Sequence, residues 1–305
     1  MLLKKAVACC LALTSLGLCL SVQLATAAAQ DAETQALATT IAKIEANLDA
    51  RVGVFIADSG SSWHWGHRET ERFLMASTFK AILCGAVLER SDHGKLTLDE
   101  TLEIRASEIH GHAPVTRNRS GQSMTIRDLC LATVDLSDNG GANLLLDRLG
   151  GPQAVTRFLR RIGDKTTRLD RKEPDLNTFA PGDPRDTTSP AAMVATWNKL
   201  LAGDALLPQS RRLLVEWTSL GGVTGALVRP HVPESWAVSD RSGGGRNYTR
   251  NIVVMLTPPG DAPYFVALYL SDTPANWSTR NKAVSEIGEA IVRTIIAHTR
   301  SGHAN

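Results

Sequence analysis

The chain has 305 residues, of which 43% are hydrophobic and 21% are charged, and its 33 basic and 31 acidic residues give a formal net charge of +2. This is the composition of an ordinary globular protein. It lacks the charge excess that a nucleic-acid-binding chain or a disordered tail requires. We therefore expect one large domain or two closely packed ones, acting on a small molecule or a protein and not on nucleic acid.

The first residues have the pattern of a secretory signal peptide. Lys4 and Lys5 precede an apolar run from Ala6 to Leu20, and residues 25–29 supply small side chains for cleavage. We assign residues 1–28 to the signal and predict export to the periplasm, with no membrane association after cleavage. An uncleaved membrane anchor is the alternative, although the apolar run is short for a membrane span.

Cleavage would leave two of the five cysteines, Cys84 and Cys130. In an oxidising compartment, a single pair of cysteines is most simply a disulfide. Both cysteines fall in predicted helices, so the bridge would tie two helices together. Two buried free thiols are the alternative.

The strand-like segments occur at the two ends of the mature chain. After a short helix around residues 34–48, Arg51–Ala57 has the pattern of a strand and Trp63–Trp65 that of its hairpin partner. Toward the C-terminus, three further strand-like runs, starting at Trp236, Ile252 and Tyr264, precede an amphipathic helix at about 281–298. Residues 73–220 have the pattern of helices and loops.

This order predicts an α/β fold whose sheet is assembled from both chain ends. Residues 29–72 and 221–305 would form the sheet domain, and residues 73–220 an inserted all-helical domain. We expect the active site in the cleft between the two.

One predicted helix, residues 74–88, is apolar on nearly every face, and a helix of this kind is buried. Its only charge is Lys80, and lysine is almost never fully buried without a partner. Ser77 lies three residues earlier, beside Lys80 and at the helix N-terminus, where the helix dipole favours a developing anion. Burial of Lys80 would lower its pKa and help to activate Ser77 as a nucleophile. A capping serine beside a snorkelling lysine is the alternative.

Three more segments carry polar groups suited to a cleft. Ser137-Asp138-Asn139 follows a predicted helix that begins near Thr125, and residues 168–186 form a loop too long to lack a purpose. Residues 240–245 end a strand in three glycines, which permit close approach of a ligand to the backbone.

Taken together, these segments resemble the motifs of the class A serine β-lactamases. The resemblance covers essentially the whole mature chain, with the motifs in the family's order and at family-like spacings. The matching segments are Ser77-Thr78-Phe79-Lys80, Ser137-Asp138-Asn139, Glu173-Pro174-Asp175-Leu176-Asn177 and Arg241-Ser242-Gly243.

The resemblance implies a β-lactamase/transpeptidase-like fold, with a five-stranded antiparallel sheet flanked by helices and an inserted helical domain. It implies hydrolysis of the β-lactam amide of penicillin-type antibiotics through a serine acyl-enzyme, which gives antibiotic resistance. It also implies that the enzyme uses no cofactor and no metal, and we expect a monomer. His110 and His112 could suggest a zinc pair, but no third ligand has metal-binding spacing.

The resemblance also implies roles for the catalytic residues. Ser77 would attack the lactam carbonyl, while the backbone N–H groups of Ser77 and Gly244 hold the oxyanion. Lys80 and Ser137 would relay a proton to the departing ring nitrogen. Glu173 and Asn177 would position the water that hydrolyses the acyl-enzyme. Either Lys80 or Glu173, acting through a water, would deprotonate Ser77.

The implied substrate contacts are of three kinds. Asn139 would bind the acylamido side chain, and His112 falls near the cleft mouth, where it could touch substrate side chains. The carboxylate-binding strand and its cations would be Arg241, Ser242, Gly243, Gly244 and Arg250. Arg241 occupies a position that usually holds lysine, as in the carbenicillinase subgroup. Arginine offers a planar bidentate fork, so we expect penicillins, carbenicillin included, to be favoured, with cephalosporin and carbapenem turnover open.

Four structural residues and one peptide bond follow from the same resemblance. Arg171 and Asp186 match an ion pair that pins the long loop, and Glu173-Pro174 matches a cis peptide bond. Cys84 and Cys130 fall where some family members carry a disulfide.

Two other functions share part of the pattern. A penicillin-binding transpeptidase or carboxypeptidase would share the first, second and last motifs, and a drug-sensing receptor domain would be acylated and stay acylated. Glu173 with Asn177 discriminates against both, because both lack this deacylating pair, and a sensor would also need a membrane anchor.

Overall fold

The computed structural model describes residues 28–178, 180–245 and 248–302, and the centre of the fold is a five-stranded antiparallel sheet. The strands are β1 (Arg51–Asp58), β2 (His64–His67), β7 (Ala237–Gly244), β8 (Tyr248–Thr257) and β9 (Tyr264–Thr273). Their spatial order is β2-β1-β9-β8-β7, and every neighbouring pair is antiparallel. The predicted fold class is confirmed, with the sheet drawn from both ends of the described chain.

The remaining elements are helices and two pairs of short strands. The helices are α1 (residues 28–48), α2 (Phe79–Asp92), α3 (Ile126–Asp135), α4 (Asn139–Leu149), α5 (Pro152–Arg161), α6 (Pro190–Leu201), α7 (Pro208–Ser219) and α8 (Trp277–Gly302). The short strands are β3 (Phe73–Leu74), which pairs with β6 (Thr187–Thr188), and β4 (Thr101–Glu103), which pairs with β5 (Ser123–Thr125).

Each face of the sheet is covered by its own hydrophobic cluster. Successive side chains of a strand point to opposite faces, and β8 divides accordingly. Val253 and Met255 pack with α2 to α7, whereas Ile252, Val254 and Leu256 pack with α1 and α8. Because both faces are covered, β8 and β9 are apolar in nearly continuous runs and do not alternate with polar residues.

The predicted helix at 74–88 is wrong at its start. Residues Phe73–Leu74 are extended in β3, Ala76 has a left-handed φ of 45°, and a 3₁₀ turn at Ala76–Thr78 leads into α2. The cause is tertiary, because β3 pairs with β6 and the Met75 N–H donates to the carbonyl of Asp186 at 2.9 Å, which keeps the chain extended through Leu74. Ser77 therefore stands on a tight turn at the entrance to α2.

The predicted disulfide is also absent. Cys84 on α2 and Cys130 on α3 are fully buried free thiols, and Cys84 Sγ donates to the carbonyl of Cys130 at 3.7 Å. Burial, with Cys84 alongside, raises the pKa of the Cys130 thiol well above its ordinary value. In this core the two neutral thiols pack as small apolar side chains.

The predicted signal peptide lies outside the described residues except for residue 28, which begins α1. Within the described ranges, no helix combines the length and the apolar character needed to cross a bilayer. The boundaries of the sheet and helical domains, at 72/73 and 220/221, stay predictions.

Candidate active site

A cleft of about 620 Å³ collects the motifs that are far apart in the sequence. The 3₁₀ turn before α2, the start of α4, the loop after α5 and the end of β7 all contribute to its wall. Ten of the predicted site residues line this cleft: Ser77, His112, Ser137, Asn139, Glu173, Asn177, Ser242, Gly243, Gly244 and Arg250.

The turn that carries Ser77 is fixed to the sheet by a glycine and an amide. A Cβ on Gly243 would lie 2.7 Å from the Met75 carbonyl oxygen and 3.1 Å from the Ser77 nitrogen, so only glycine allows this approach. Asn251, the cross-strand partner of Gly243, donates from Nδ2 to the carbonyls of Leu74 at 2.8 Å and Met75 at 3.2 Å. Both contacts hold the serine turn against β7 and β8.

Lys80 is fully buried at the centre of the site. Its Nζ donates to the Ser137 carbonyl at 2.9 Å, to Asn139 Oδ1 at 2.6 Å and to Ser137 Oγ at 3.2 Å, and it lies 3.2 Å from Glu173 Oε1. Desolvation lowers the pKa of Lys80 to about 8, with Glu173 opposing and Arg241 reinforcing the shift. Lys80 can therefore give up its proton near neutral pH, which an exposed lysine cannot do.

Ser137 connects this amine to Ser77. Its hydroxyl donates to Ser77 Oγ at 3.2 Å and accepts from Lys80 Nζ at 3.2 Å and from Arg241 Nη2 at 2.5 Å, so its one donor and both acceptor positions are used. Ser137 has a left-handed φ of 61°, just before Asn139 begins α4. The hydroxyl is thus a bridge along which a proton can move between Ser77 and Lys80.

Asp138, between Ser137 and Asn139, organises this segment. Its buried carboxylate caps α4 by accepting from the Gly141 N–H at 2.9 Å. It also accepts from the N–H groups of Val115 at 2.8 Å and Thr116 at 2.9 Å. It therefore joins the start of α4 to the loop that carries the exposed His112.

Glu173 is almost fully buried and held on both sides. Asn143 on α4 donates from Nδ2 to the Glu173 carbonyl at 2.9 Å and accepts the Glu173 N–H on Oδ1 at 3.0 Å. Asn177 Nδ2 donates to Glu173 Oε2 at 2.5 Å, and the Glu173–Pro174 peptide is cis. Glu173 Oε1 and Asn177 Oδ1 are buried acceptors that receive no hydrogen bond within the described structure.

The long loop is fixed where it leaves and rejoins the helices. Asp186 accepts Arg171 Nε on Oδ2 at 2.5 Å, and its Oδ1 accepts the N–H groups of Asp170 at 2.7 Å and Arg171 at 3.0 Å. Asp170 Oδ2 in turn accepts the Asp186 N–H at 3.0 Å. The predicted pair of Arg171 and Asp186 is therefore present as part of a reciprocal clamp.

The two predicted carboxylate-binding cations occupy different positions. Arg250 lines the cleft, with Nη1 on the Gly243 carbonyl at 3.1 Å and Nε on Asn281 Oδ1 at 2.6 Å. Arg241 is fully buried behind Ser137, and its Nε and Nη1 have no hydrogen-bond partner within the described residues. Burial lowers the pKa of each guanidinium to about 10, so both stay charged at neutral pH.

The sequence reading missed residues whose importance lies in tertiary contacts. Asn143 holds the Glu173 backbone, Asn281 orients Arg250, and Trp277 lines the cleft. No local pattern distinguishes these residues from ordinary helix residues. Asp138 alone had a local signal, as an aspartate one residue before a helix.

Comparisons with known proteins agree with this geometry. A sequence model described as the β-lactamase enzyme family matches residues 36–295. A β-lactamase of Rhodobacter capsulatus is 48% identical over 279 residues, covering 92% of this chain and 95% of the relative. The β-lactamase CARB-3 of Pseudomonas aeruginosa is 40% identical over 272 residues, covering 89% of this chain and 94% of the relative.

Solved structures show the same similarity. The crystal structure of a β-lactamase from Xanthomonas campestris pv. campestris has a TM-score of 0.84 at 43% identity, covering 86% of this chain and 98% of that one. The last common ancestor of Gram-negative bacteria class A β-lactamase has a TM-score of 0.83 at 44% identity, covering 85% and 99%. The chain therefore belongs to the β-lactamase enzyme family and, within it, to the class A enzymes that open the β-lactam ring.

Proposed function

We propose that penicillins, carbenicillin included, are the preferred substrates of this β-lactamase and that Ser77 is its nucleophile. The observation that carries the proposal is the unbroken chain of contacts from Ser77 through Ser137 to the buried Lys80, with Glu173 on the far side of Lys80. It provides a proton acceptor for the serine hydroxyl and a separate carboxylate for the second step.

In the acylation step, Ser77 Oγ forms a bond to the lactam carbonyl carbon and its proton passes to a base. Lys80 and Glu173 acting through a water are the two candidate bases. The N–H groups of Ser77 and Gly244 stabilise the oxyanion. As the carbon–nitrogen bond of the ring breaks, the Lys80–Ser137 bridge returns a proton to the departing nitrogen.

In the deacylation step, a water attacks the ester carbonyl and gives its proton to Glu173. The bond between the carbonyl carbon and Ser77 Oγ then breaks, and Oγ takes up a proton, which regenerates the serine. Glu173 Oε1, whose one close polar contact among the described residues is Lys80 Nζ at 3.2 Å, and the unpaired Asn177 Oδ1 can both bind this water. Asn143 and the clamp between Asp170, Arg171 and Asp186 hold Glu173 in the position that the step requires.

The preference for penicillins rests on the cations. Arg241 and Arg250 are both charged, and Arg241 keeps two N–H-bearing nitrogens unpaired within the described structure. Arg250, which lines the cleft, can bind a substrate carboxylate with the planar geometry that lysine lacks, and the buried Arg241 adds its positive charge from behind Ser137. Asn139, whose side-chain oxygen accepts from Lys80, offers its amide N–H to the substrate acylamido group.

Export to the periplasm, cleavage near residue 28 and a monomeric state complete the proposal. Export and cleavage rest on the charged and apolar pattern of the first residues, and the monomeric state rests on the family resemblance. Mass spectrometry of the protein from a periplasmic extract tests the cleavage, and an N-terminus upstream of residue 20 contradicts it.

The roles of Ser77 and Glu173 are separable by trapping the intermediate. We expect Glu173→Ala protein treated with benzylpenicillin to show the mass of the acyl adduct, while turnover collapses. Ser77→Ala, the matched control, should form no adduct. Rapid turnover of the Glu173→Ala protein without an adduct would falsify the assigned role of Glu173.

Substrate preference is measured by kcat/KM for carbenicillin, benzylpenicillin, a cephalosporin and a carbapenem. We expect the two penicillins to exceed the other two classes, as the resemblance to the carbenicillinase subgroup implies. A large preference for the cephalosporin is the result that contradicts this expectation.

A further inference from the structure

Trp277, the first residue of α8, forms an aromatic section of the cleft wall that no motif predicts. Its side chain lines the cleft and the residue is 46% exposed. Arg250 Cζ lies 4.4 Å from the centre of its ring, and Arg280 Cζ lies 5.6 Å from it. Cations over an indole face are attracted to it, so the ring has two guanidinium groups to hold its orientation.

Both guanidinium groups are themselves held by the sheet. Arg250 donates to the Gly243 carbonyl, and Arg280 Nη1 donates to the carbonyls of Gly245 at 3.1 Å and Thr249 at 2.8 Å. The indole therefore packs on groups that cannot move away without losing backbone hydrogen bonds. The ring of Trp277 therefore has a fixed orientation in the cleft wall, unlike an ordinary exposed side chain.

The indole also occupies the space above Gly244. A Cβ at position 244 would lie 2.9 Å from Cζ3 and 3.1 Å from Cη2 of Trp277, and 3.2 Å from Cδ of Arg250. The absence of a side chain at Gly244 is thus what allows the ring to lie this close to β7. Since the Gly244 N–H is the proposed oxyanion donor, the ring edge borders the space of the reacting bicycle.

The ring structure of each substrate class determines which substituent lies next to the carboxylate and therefore close to the Trp277 indole. In cephalosporins, the carbon next to the carboxylate-bearing carbon carries the variable C3 substituent, whereas penicillins carry two methyl groups beside the carboxylate. A carboxylate bound at Arg250 therefore brings that neighbouring group toward the indole, whose centre is 4.4 Å from the guanidinium carbon.

We propose that Trp277, with Gly244 beneath it, is a specificity-determining residue that limits the size of the group beside the substrate carboxylate. It admits penicillins and cephalosporins with a small C3 group, and it disfavours cephalosporins with a bulky C3 group. This inference rests on the proposed function, because it needs the carboxylate to bind at Arg250.

Three substrates with the same phenylglycyl side chain test the wall directly: ampicillin, cefalexin with a C3 methyl group, and cefaloglycin with a C3 acetoxymethyl group. In Trp277→Ala, we expect the kcat/KM ratio of cefaloglycin to ampicillin to rise about tenfold, the scale on which pocket size discriminates. The cefalexin ratio should change much less, and Trp277→Phe should be intermediate. Leu207→Ala, a truncation of an exposed residue outside the cleft, should leave all ratios unchanged.

A double-mutant cycle tests the pairing with Gly244. Gly244→Ala should lower kcat/KM for all three substrates because its methyl group displaces the indole, and adding Trp277→Ala should restore part of that loss. A Trp277→Ala protein in which the three activities fall together, with unchanged ratios, overturns the inference and leaves the proposed function standing. A wild-type protein that hydrolyses none of the three overturns the proposed function and, with it, the inference.

Discussion

Lys80 is the residue that connects the nucleophile Ser77, through Ser137, to the proposed deacylating carboxylate of Glu173. It is fully buried, hydrogen-bonded to three oxygens of Ser137 and Asn139, and 3.2 Å from Glu173. A buried cation with a partner on one side and a depressed pKa is typical of a functional site. Its protonation state decides whether it can accept the proton of Ser77.

The pH dependence of acylation follows from this pKa. In Glu173→Ala protein, Lys80 is the remaining candidate base, and loss of the Glu173 charge lowers its pKa further below the value of about 8. The neutral amine is the active form, so the acylation rate should rise with pH, with a midpoint below about 8, and reach a plateau at higher pH. Stopped-flow acylation with benzylpenicillin measures the profile, and Lys80→Met should abolish the rise.

An acylation rate that does not change with pH below and above about 8 in the Glu173→Ala protein would exclude Lys80 as the base. The variant's melting temperature, measured at each pH, controls for unfolding.

For individual residues, the sequence predicted the proposed catalytic residues better than the residues that position them. Ser77, Lys80, Ser137 and Glu173 belong to short patterns of reactive groups, and the structure gathers them in one cleft. Asn143 acts only through a contact with the Glu173 backbone, 30 positions away. Such a contact depends on how α4 packs against the loop, which no local pattern encodes.

Among the elements, the loop from Arg168 to Asp186 decides where Glu173 lies. Its described residues contain one 3₁₀ turn, Asp175–Asn177. The clamp holds the loop at its two ends, and Asn143 holds it in the middle. Asp186 has a left-handed φ of 57°, so its carboxylate contacts offset the cost of an unfavourable backbone conformation. Deacylation should therefore be more sensitive than acylation to damage of this clamp.

Asp186→Asn tests that sensitivity. The substitution removes the charge that Arg171 pairs with, and we expect the free energy of unfolding to fall by about 3 kcal/mol, the lower end for breaking a buried pair, because Arg171 is partly exposed. Urea unfolding measures the loss. Rapid-quench kinetics with benzylpenicillin should show the acyl-enzyme accumulating, with deacylation slowed more than acylation.

The conservative control is Arg185→Gln, which breaks the exposed pair with Asp183 in the same loop. Solvent screens an exposed pair and leaves it a small contribution to stability, so the stability and kinetics of this variant should stay close to those of the wild type. Equal slowing of acylation and deacylation in Asp186→Asn would refute the separate role of the clamp.

The start of α2 shows why one element boundary could not be predicted. The apolar run through residue 88 favours a helix from Leu74, but β3 pairs with β6 and Met75 is bonded to Asp186. These partners lie more than 100 residues away along the chain. A long-range constraint thus overrides the local helix propensity.

At the scale of the whole molecule, the sheet separates two hydrophobic clusters. One packs with α2 to α7 and the other with α1 and α8. The cluster that packs with α2 to α7 contains both cysteines and the apolar side chains of α2, the helix that carries Lys80. The order of sheet and helices along the chain was predictable from periodicity. The assignment of each strand residue to one face was not, because the long apolar runs of β8 and β9 have no alternation with polar residues.

The buried thiols provide a measurement of global opening. Native protein should react with Ellman's reagent very slowly, because Cys84 and Cys130 are fully buried and the pKa of Cys130 is raised. In denaturant, both should react at once. Fast labelling of the native protein would contradict the burial, and an absence of labelling in denaturant would show an oxidised pair.

The packing of α1 against α8 has a consequence for how the chain can be rearranged. Ser301 Oγ donates to Gln30 Oε1 at 2.9 Å, although the two residues are 271 positions apart, and Arg293 pairs with Glu33. Because the described chain starts and finishes at the same place, a few-residue linker could join residue 302 to residue 28. New ends opened at the exposed Asp204 should then yield a circularly permuted enzyme that still folds.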